Sequence, residues 1–282
     1  MPSRVAVVTD STAMLSSDVV ESRGITVVPL QVVVGARSYE ESTDSDPDMV
    51  ADALRAREPV STSRPAPEAF RAVYDALARD GAGAIVSVHL SGEISGTCES
   101  AELAARDAPV PVQVVDSRLV GVGTGFAVLA AAGAVADGAD AEGAAEAARR
   151  RAAATTSLFY VDTLEYLRRG GRIGAAASLL GSVLAVKPLL QLEDGRVVPL
   201  EKVRTTNRAL SRLEELAVQA AADQQVDIAV AHLANPERAL GVAEHLRERV
   251  PRVCDVQVGE VGAVVGAHVG PGMVAVVVAP RV

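Results

Sequence analysis

The chain has 282 residues, 49% of them hydrophobic, which is too apolar for a disordered protein and long enough for the core of one large domain or two moderate ones. A formal net charge of −9 without any long run of Lys or Arg argues against a nucleic-acid binder. No stretch reaches the roughly 20 apolar residues of a membrane span, so at most transient membrane contact is expected.

The first pattern, RVAVVTDST (4–12), is a short apolar run ending in Asp10, Ser11 and Thr12, and reads as a strand rather than a signal peptide. ITVVPLQVVV (25–34) reads as a second strand, and residues 47–57 as a helix after Pro47. VSTSRPAP (60–67) is expected to be a loop before the helix of residues 67–81. AIVSVHL (84–90) and VQVVDS (112–117) are strand patterns, with a helix between them and an Ala-rich helix, Phe126–Ala136, after the second. Strands alternating with helices predict an α/β domain with a largely parallel sheet.

The rhythm changes after the helix at 141–154, and a domain boundary is expected near Ser157, giving domains 1–157 and 158–282. SLFYVDT (157–163) reads as a strand and LEYLRRGGRIG (164–174) as a helix stopped by two glycines. KPLLQLEDGRVVPLEKV (187–203) reads as a hairpin around Asp194-Gly195. Two further helix–strand pairs follow, and a Gly-rich loop, GAVVGAHVGPG (262–272), precedes the last strand. The second domain is expected to be mixed α/β.

Several motifs admit a structural and a functional reading. Gly121-x-Gly123-x-Gly125 follows a strand but lacks the third glycine of a dinucleotide fingerprint, and no phosphate-loop lysine pattern occurs, so no cofactor and no ATP site are expected. Cys98 and Cys254 have no partners at ligand spacing, so neither a metal site nor a disulfide framework is expected, which fits the cytoplasm. The segment SGEISGTCES (91–100) sets Ser91, Ser95, Thr97 and Ser100 between glycines at a strand-to-helix joint, more hydroxyls than one helix cap needs. Together with Thr62, Ser63 and a loop His268, they suggest a cradle for a carboxylate or phosphate. A serine acyl-hydrolase using Ser95 and His268 is the alternative, although the elbow glycines around Ser95 are one residue out of step. A regulator that binds another small carboxylate is a third reading. Arg168, Arg169 and Arg172 crowd a helix end, where they either complement the helix dipole or meet an anion or partner.

The motifs TDST (9–12), TSRP (62–65), ISGTCESA (94–101), VVDS (114–117), LEYLRRGGRI (164–173) and VGAHVGPG (265–272) together resemble the DegV family of bacterial fatty-acid-binding proteins. The resemblance spans nearly the whole chain in order. It implies a two-domain α/β carrier, not itself an enzyme, that holds one long-chain fatty acid with the carboxylate between the domains and the tail in an aliphatic tunnel. It further implies a separate kinase subunit that phosphorylates the bound carboxylate. Carried over by motif, Thr62, Ser63, Ser95, Gly96, Thr97 and His268 hold the carboxylate. Arg172 and Arg204 face the kinase, and both are expected to be exposed. The chain departs from the family pattern at Arg64 and Glu99, each in place of Gln, at Gly92 in place of a common Ser, and at Cys98 in place of Tyr. Arg64 is open between a head-group contact and a partner contact.

Overall fold

A computed structural model describes residues 4–41, 46–179 and 187–281. The chain divides into two compact units, one comprising Met1–Gln31 and Ser63–Ala153, the other Val32–Thr62 and Ala154–Val282.

The first unit is built on a parallel sheet of β1 (Arg4–Asp10), β2 (Ile25–Val28), β6 (Ala82–His89) and β7 (Val112–Asp116), in the order β2-β1-β6-β7. Period-two alternation gives the sheet two apolar faces. Val7, Val86, Val88 and Val115 pack with Ala127, Val128, Ala131, Ala144 and Ala148, which belong to helices α5 (Val122–Ala136) and α6 (Ala141–Ala154). On the other face Ala6, Val8 and Ile85 meet Phe70 and Tyr74 of α3 (Pro67–Arg79) and Ala101 and Ala104 of α4 (Thr97–Ala105). Small alanines let α5 lie close: a Cβ on Gly125 would come within 2.4 Å of the Ala13 carbonyl oxygen. Gly121 takes φ 68° at the entry to the same helix. Turn geometry and packing thus account for Gly121 and Gly125, the first and last of the three glycines in the GxGxG run.

The second unit carries a mixed six-stranded sheet, β10-β9-β8-β13-β11-β12. Its strands are β8 (Thr156–Tyr160), β9 (Lys187–Glu193), β10 (Arg196–Val203), β11 (Val226–His232), β12 (Val253–Glu260) and β13 (Val274–Pro280). Only the β11–β12 pairing is parallel. Asp194 and Gly195 both take positive φ, 49° and 80°, as the expected two-residue hairpin turn requires. Leu213 and Ala217 of α8 (Thr206–Ala221) and Ala239, Val242 and Leu246 of α9 (Pro236–Arg249) close the core over Leu158, Leu189, Ile228 and Val276. No helix among the described residues is long and apolar enough to cross a membrane.

The structure departs from the sequence reading in three places that matter here. Pro29 splits the expected second strand into β2 and β3 (Gln31–Val34), and β3 joins β4 (Arg37–Glu40) and β5 (Val60–Ser63) in a small separate sheet. Thr62 and Ser63 therefore lie on a strand, not in a loop. A single boundary near Ser157 also misses that residues 32–62 group with the second unit. There α2 (Pro47–Arg55) packs on α10 (Ala263–Val269), and the buried Glu41 carboxylate accepts the Val264 amide at 2.8 Å. Finally, the Gly-rich loop is largely α10, so His268 sits on a helix.

Candidate functional site

In the first unit, the strand ends of β1 and β6 are pinned by a buried polar chain. Asp10 Oδ2 accepts the His89 Nδ1–H at 2.9 Å and the Leu90 amide at 3.0 Å. Its other oxygen accepts the Thr12 amide at 3.1 Å. With Nδ1 donating, His89 Nε2 accepts from Ser87 Oγ at 2.7 Å, which in turn accepts the Tyr74 hydroxyl at 2.9 Å. All four side chains are enclosed, and burial pushes the Tyr74 hydroxyl up to about 12. Aspartate, histidine and serine stand in series here, but the serine is sealed from solvent, so the chain acts as a strut. The motif TDST supplied its aspartate; His89 and Ser87, hidden in an apolar strand pattern, gave no sequence signal.

From this root the loop to α4 emerges. Ser91 Oγ accepts the Glu93 amide at 3.2 Å, so this hydroxyl serves the turn. Ser95 and Thr97 bond each other through their hydroxyls at 2.9 Å. Thr97 is fully buried, so its proton goes to Ser95 Oγ, and the partly exposed Ser95 keeps its own proton for another acceptor. The Ser95 amide is spent on the Ser91 carbonyl at 3.0 Å. The hydroxyl that this loop can direct at an anion is thus that of Ser95. Ser63 is exposed and donates to Gln31 Oε1 at 3.4 Å.

In the second unit, Thr62 Oγ1 and His268 Nε2 lie 2.8 Å apart. His268 Nδ1 is buried with no hydrogen-bond partner among the described residues. A proton there would be an unsatisfied donor, so the neutral ring carries its proton on Nε2 and donates to Thr62. The Thr62 hydroxyl hydrogen is then left to donate onward. Burial, reinforced by the Arg172 charge, lowers the His268 pKa from 6.5 to about 4. With Nε2 engaged and Nδ1 enclosed, the ring has no nitrogen left to deprotonate a serine, which disfavours the hydrolase reading.

Two signature motifs interlock around this histidine. Helix α7 (Glu165–Arg169) ends at Gly170, where a Cβ would stand 2.1 Å from His268 Nδ1. Conversely, a Cβ on Gly270 would lie 2.0 Å from Tyr166 Cδ2, and one on Gly272 2.1 Å from Asp162 Oδ2. Gly170 of one motif thus receives His268 of the other, and Gly270 receives Tyr166 in return. Arg168 and Arg169 both pair with Glu165. Arg172 is half-buried, with Nη1 donating to the Gly170 carbonyl at 2.6 Å, against the expectation of an exposed side chain. Arg204 is exposed just beyond β10.

Residues 4–281 match the model of a family described as uncharacterised proteins of the DegV family. The chain belongs to the DegV family. A DegV domain-containing protein of Streptomyces coelicolor is 56% identical over 281 residues, covering 100% of both chains. One from Mycobacterium tuberculosis is 36% identical, with 97% of this chain and 96% of the other covered. Among solved structures, a fatty-acid-binding DegV protein of Thermus thermophilus superposes with a TM-score of 0.94 at 32% identity, covering 99% of this chain and 100% of that one. DegV of Bacillus subtilis, a fatty acid binding protein, gives 0.91 at 33% identity over 99% and 100% of the two chains. The fold of these DegV structures is therefore the fold of this chain.

Proposed function

We propose that this protein binds a long-chain fatty acid and presents its carboxylate to a separate ATP-dependent kinase, which forms an acyl-phosphate. The observation that carries the reading is the Thr62–His268 pair: a neutral imidazole fixes the threonine so that its hydroxyl proton is directed to an acceptor. Ser95, whose oxygen accepts from Thr97 and whose own proton stays uncommitted, offers a second neutral donor. Full-length similarity to the Thermus and Bacillus fatty acid binders names the class of anion.

Neutral donors suit this task. Burying a methylene is worth roughly 0.8 kcal/mol, so a tail of about 16 carbons contributes on the order of 12 kcal/mol gross, and the head-group contacts need only orient the carboxylate. Held by hydroxyls rather than by a buried cation pair, one carboxylate oxygen stays nucleophilic toward the terminal phosphorus of ATP, with ADP leaving. We assign the carboxylate to Thr62, Ser63, Ser95, Gly96 and Thr97, with His268 acting through the Thr62 hydroxyl and Ser63 reached only on ligand binding. Arg204, exposed, faces the kinase; Arg172, folded back on Gly170, acts inward on His268 instead. Native mass spectrometry and organic extraction of protein purified from bacterial cells test the reading. About one long-chain acid per chain is expected. Protein that carries none and rebinds none refutes it.

A further inference from the structure

Arg64 lies across the turn that carries Ser95. Its Nη1 donates to the Gly96 carbonyl at 3.1 Å and to Glu99 Oε2 at 2.7 Å. The same carbonyl accepts the Ser100 amide at 3.0 Å, the opening bond of α4. A Cβ on Gly96 would come within 1.6 Å of Arg64 Nη1 and 3.0 Å of its Cδ. Gly96 has φ −74° and ψ 16°, a conformation open to any residue, so the guanidinium packs against the turn where a side chain would otherwise stand. Pro65, itself buried, disfavours a helical backbone at Arg64 and so narrows the directions from which the side chain can leave.

We propose that Arg64 is a positioning residue, clamped by Glu99, that holds the Ser95–Gly96–Thr97 turn in its carboxylate-binding shape. It acts through the Gly96 carbonyl and not as a ligand of the head group. The consequence for binding rests on the fatty-acid reading above; the clamp itself does not. An exposed ion pair alone contributes little to stability, and here the side chains are 48% and 66% exposed, so variants at either position should fold normally.

Two measurements on the full chain decide the matter. In ligand-free protein, hydrogen exchange at the Ile94, Ser95 and Ser100 amides, all bonded within this turn, should speed up several-fold in Arg64→Ala. Arg64→Gln, which keeps a donor for the carbonyl, should restore most of the protection. Stopped-flow release of palmitate should follow the same order, roughly threefold to tenfold faster in Arg64→Ala and near wild type in Arg64→Gln. Glu99→Gln should also speed release, because the arginine loses its anchor. Unchanged exchange in Arg64→Ala would overturn the clamp. Tighter palmitate binding by Glu99→Gln would overturn it too, by showing that the freed guanidinium is a head-group ligand. Should wild-type protein bind no palmitate, the fatty-acid reading falls while the exchange measurement still decides the clamp.

Discussion

His268 is expected to stay neutral in the folded protein down to about pH 4, and its resistance to protonation sets a stability slope on the acid side. In the unfolded chain the imidazole binds a proton near pH 6.5. Between the two values the unfolded state holds more protons than the folded one, so stability falls as the pH drops. Above about 6.5 the full contribution is present; from 6.5 down to about 4 it amounts to about 3 kcal/mol, at 1.36 kcal/mol per tenfold change in proton affinity. About 2 kcal/mol of it is gone by pH 5. The cause is burial first and the Arg172 charge second, with Nδ1 enclosed against Gly170. Urea denaturation at pH 7 and pH 5 should show wild type losing about 2 kcal/mol more over that interval than His268→Gln, which cannot titrate. NMR titration of the ring proton provides a direct check. A midpoint near 6.5, or equal losses in the two proteins, would refute the reasoning.

Gly170→Ala has a helical φ of −73°, so its cost must come from the displaced His268 ring: about 1–3 kcal/mol of stability, with the ring's titration moving back toward 6.5 in the NMR experiment. Ser87→Ala strands the Tyr74 hydroxyl and His89 Nε2 in the core and should lower stability in urea melts by about 2–4 kcal/mol, without abolishing ligand binding by the folded fraction. Arg204→Ala should change stability by less than about 1 kcal/mol and leave fatty-acid affinity intact in calorimetric titration, while acyl-phosphate formation with the cognate kinase slows. A loss of affinity instead would move Arg204 into the head-group site.

The parallel sheet was legible because β1, β6 and β7 are continuous apolar runs closed by polar turns, and the hairpin because Asp194-Gly195 satisfies a strict backbone demand. Ser95 and Thr97 were legible as surplus hydroxyls. The helix bearing His268 was not, since AVVGAHV mixes β-branched residues with glycine, and its stability comes from the Glu41 carboxylate at Val264 and from α2, more than 200 residues away in sequence. Arg172 looked like a surface charge for a similar reason: nothing in LRRGGR says which of its arginines folds back onto the Gly170 carbonyl. Local pattern carries local structure, whereas contacts between distant segments leave only isolated glycines as their trace.

The excursion of residues 32–62 into the second unit bears on how this polypeptide can be cut and made. Neither unit is a continuous stretch, so truncation after Ala153 would strand Val32, Val50, Ala51 and Leu54, all buried in the intact protein, with no surface to cover them. On the ribosome the same segment emerges early and waits for more than 90 residues before the stretch beginning at Ala154 arrives to receive it. Its apolar side chains are a liability for that interval, one that a circular permutant opening the chain between the units would lengthen or relieve depending on where the new ends fall.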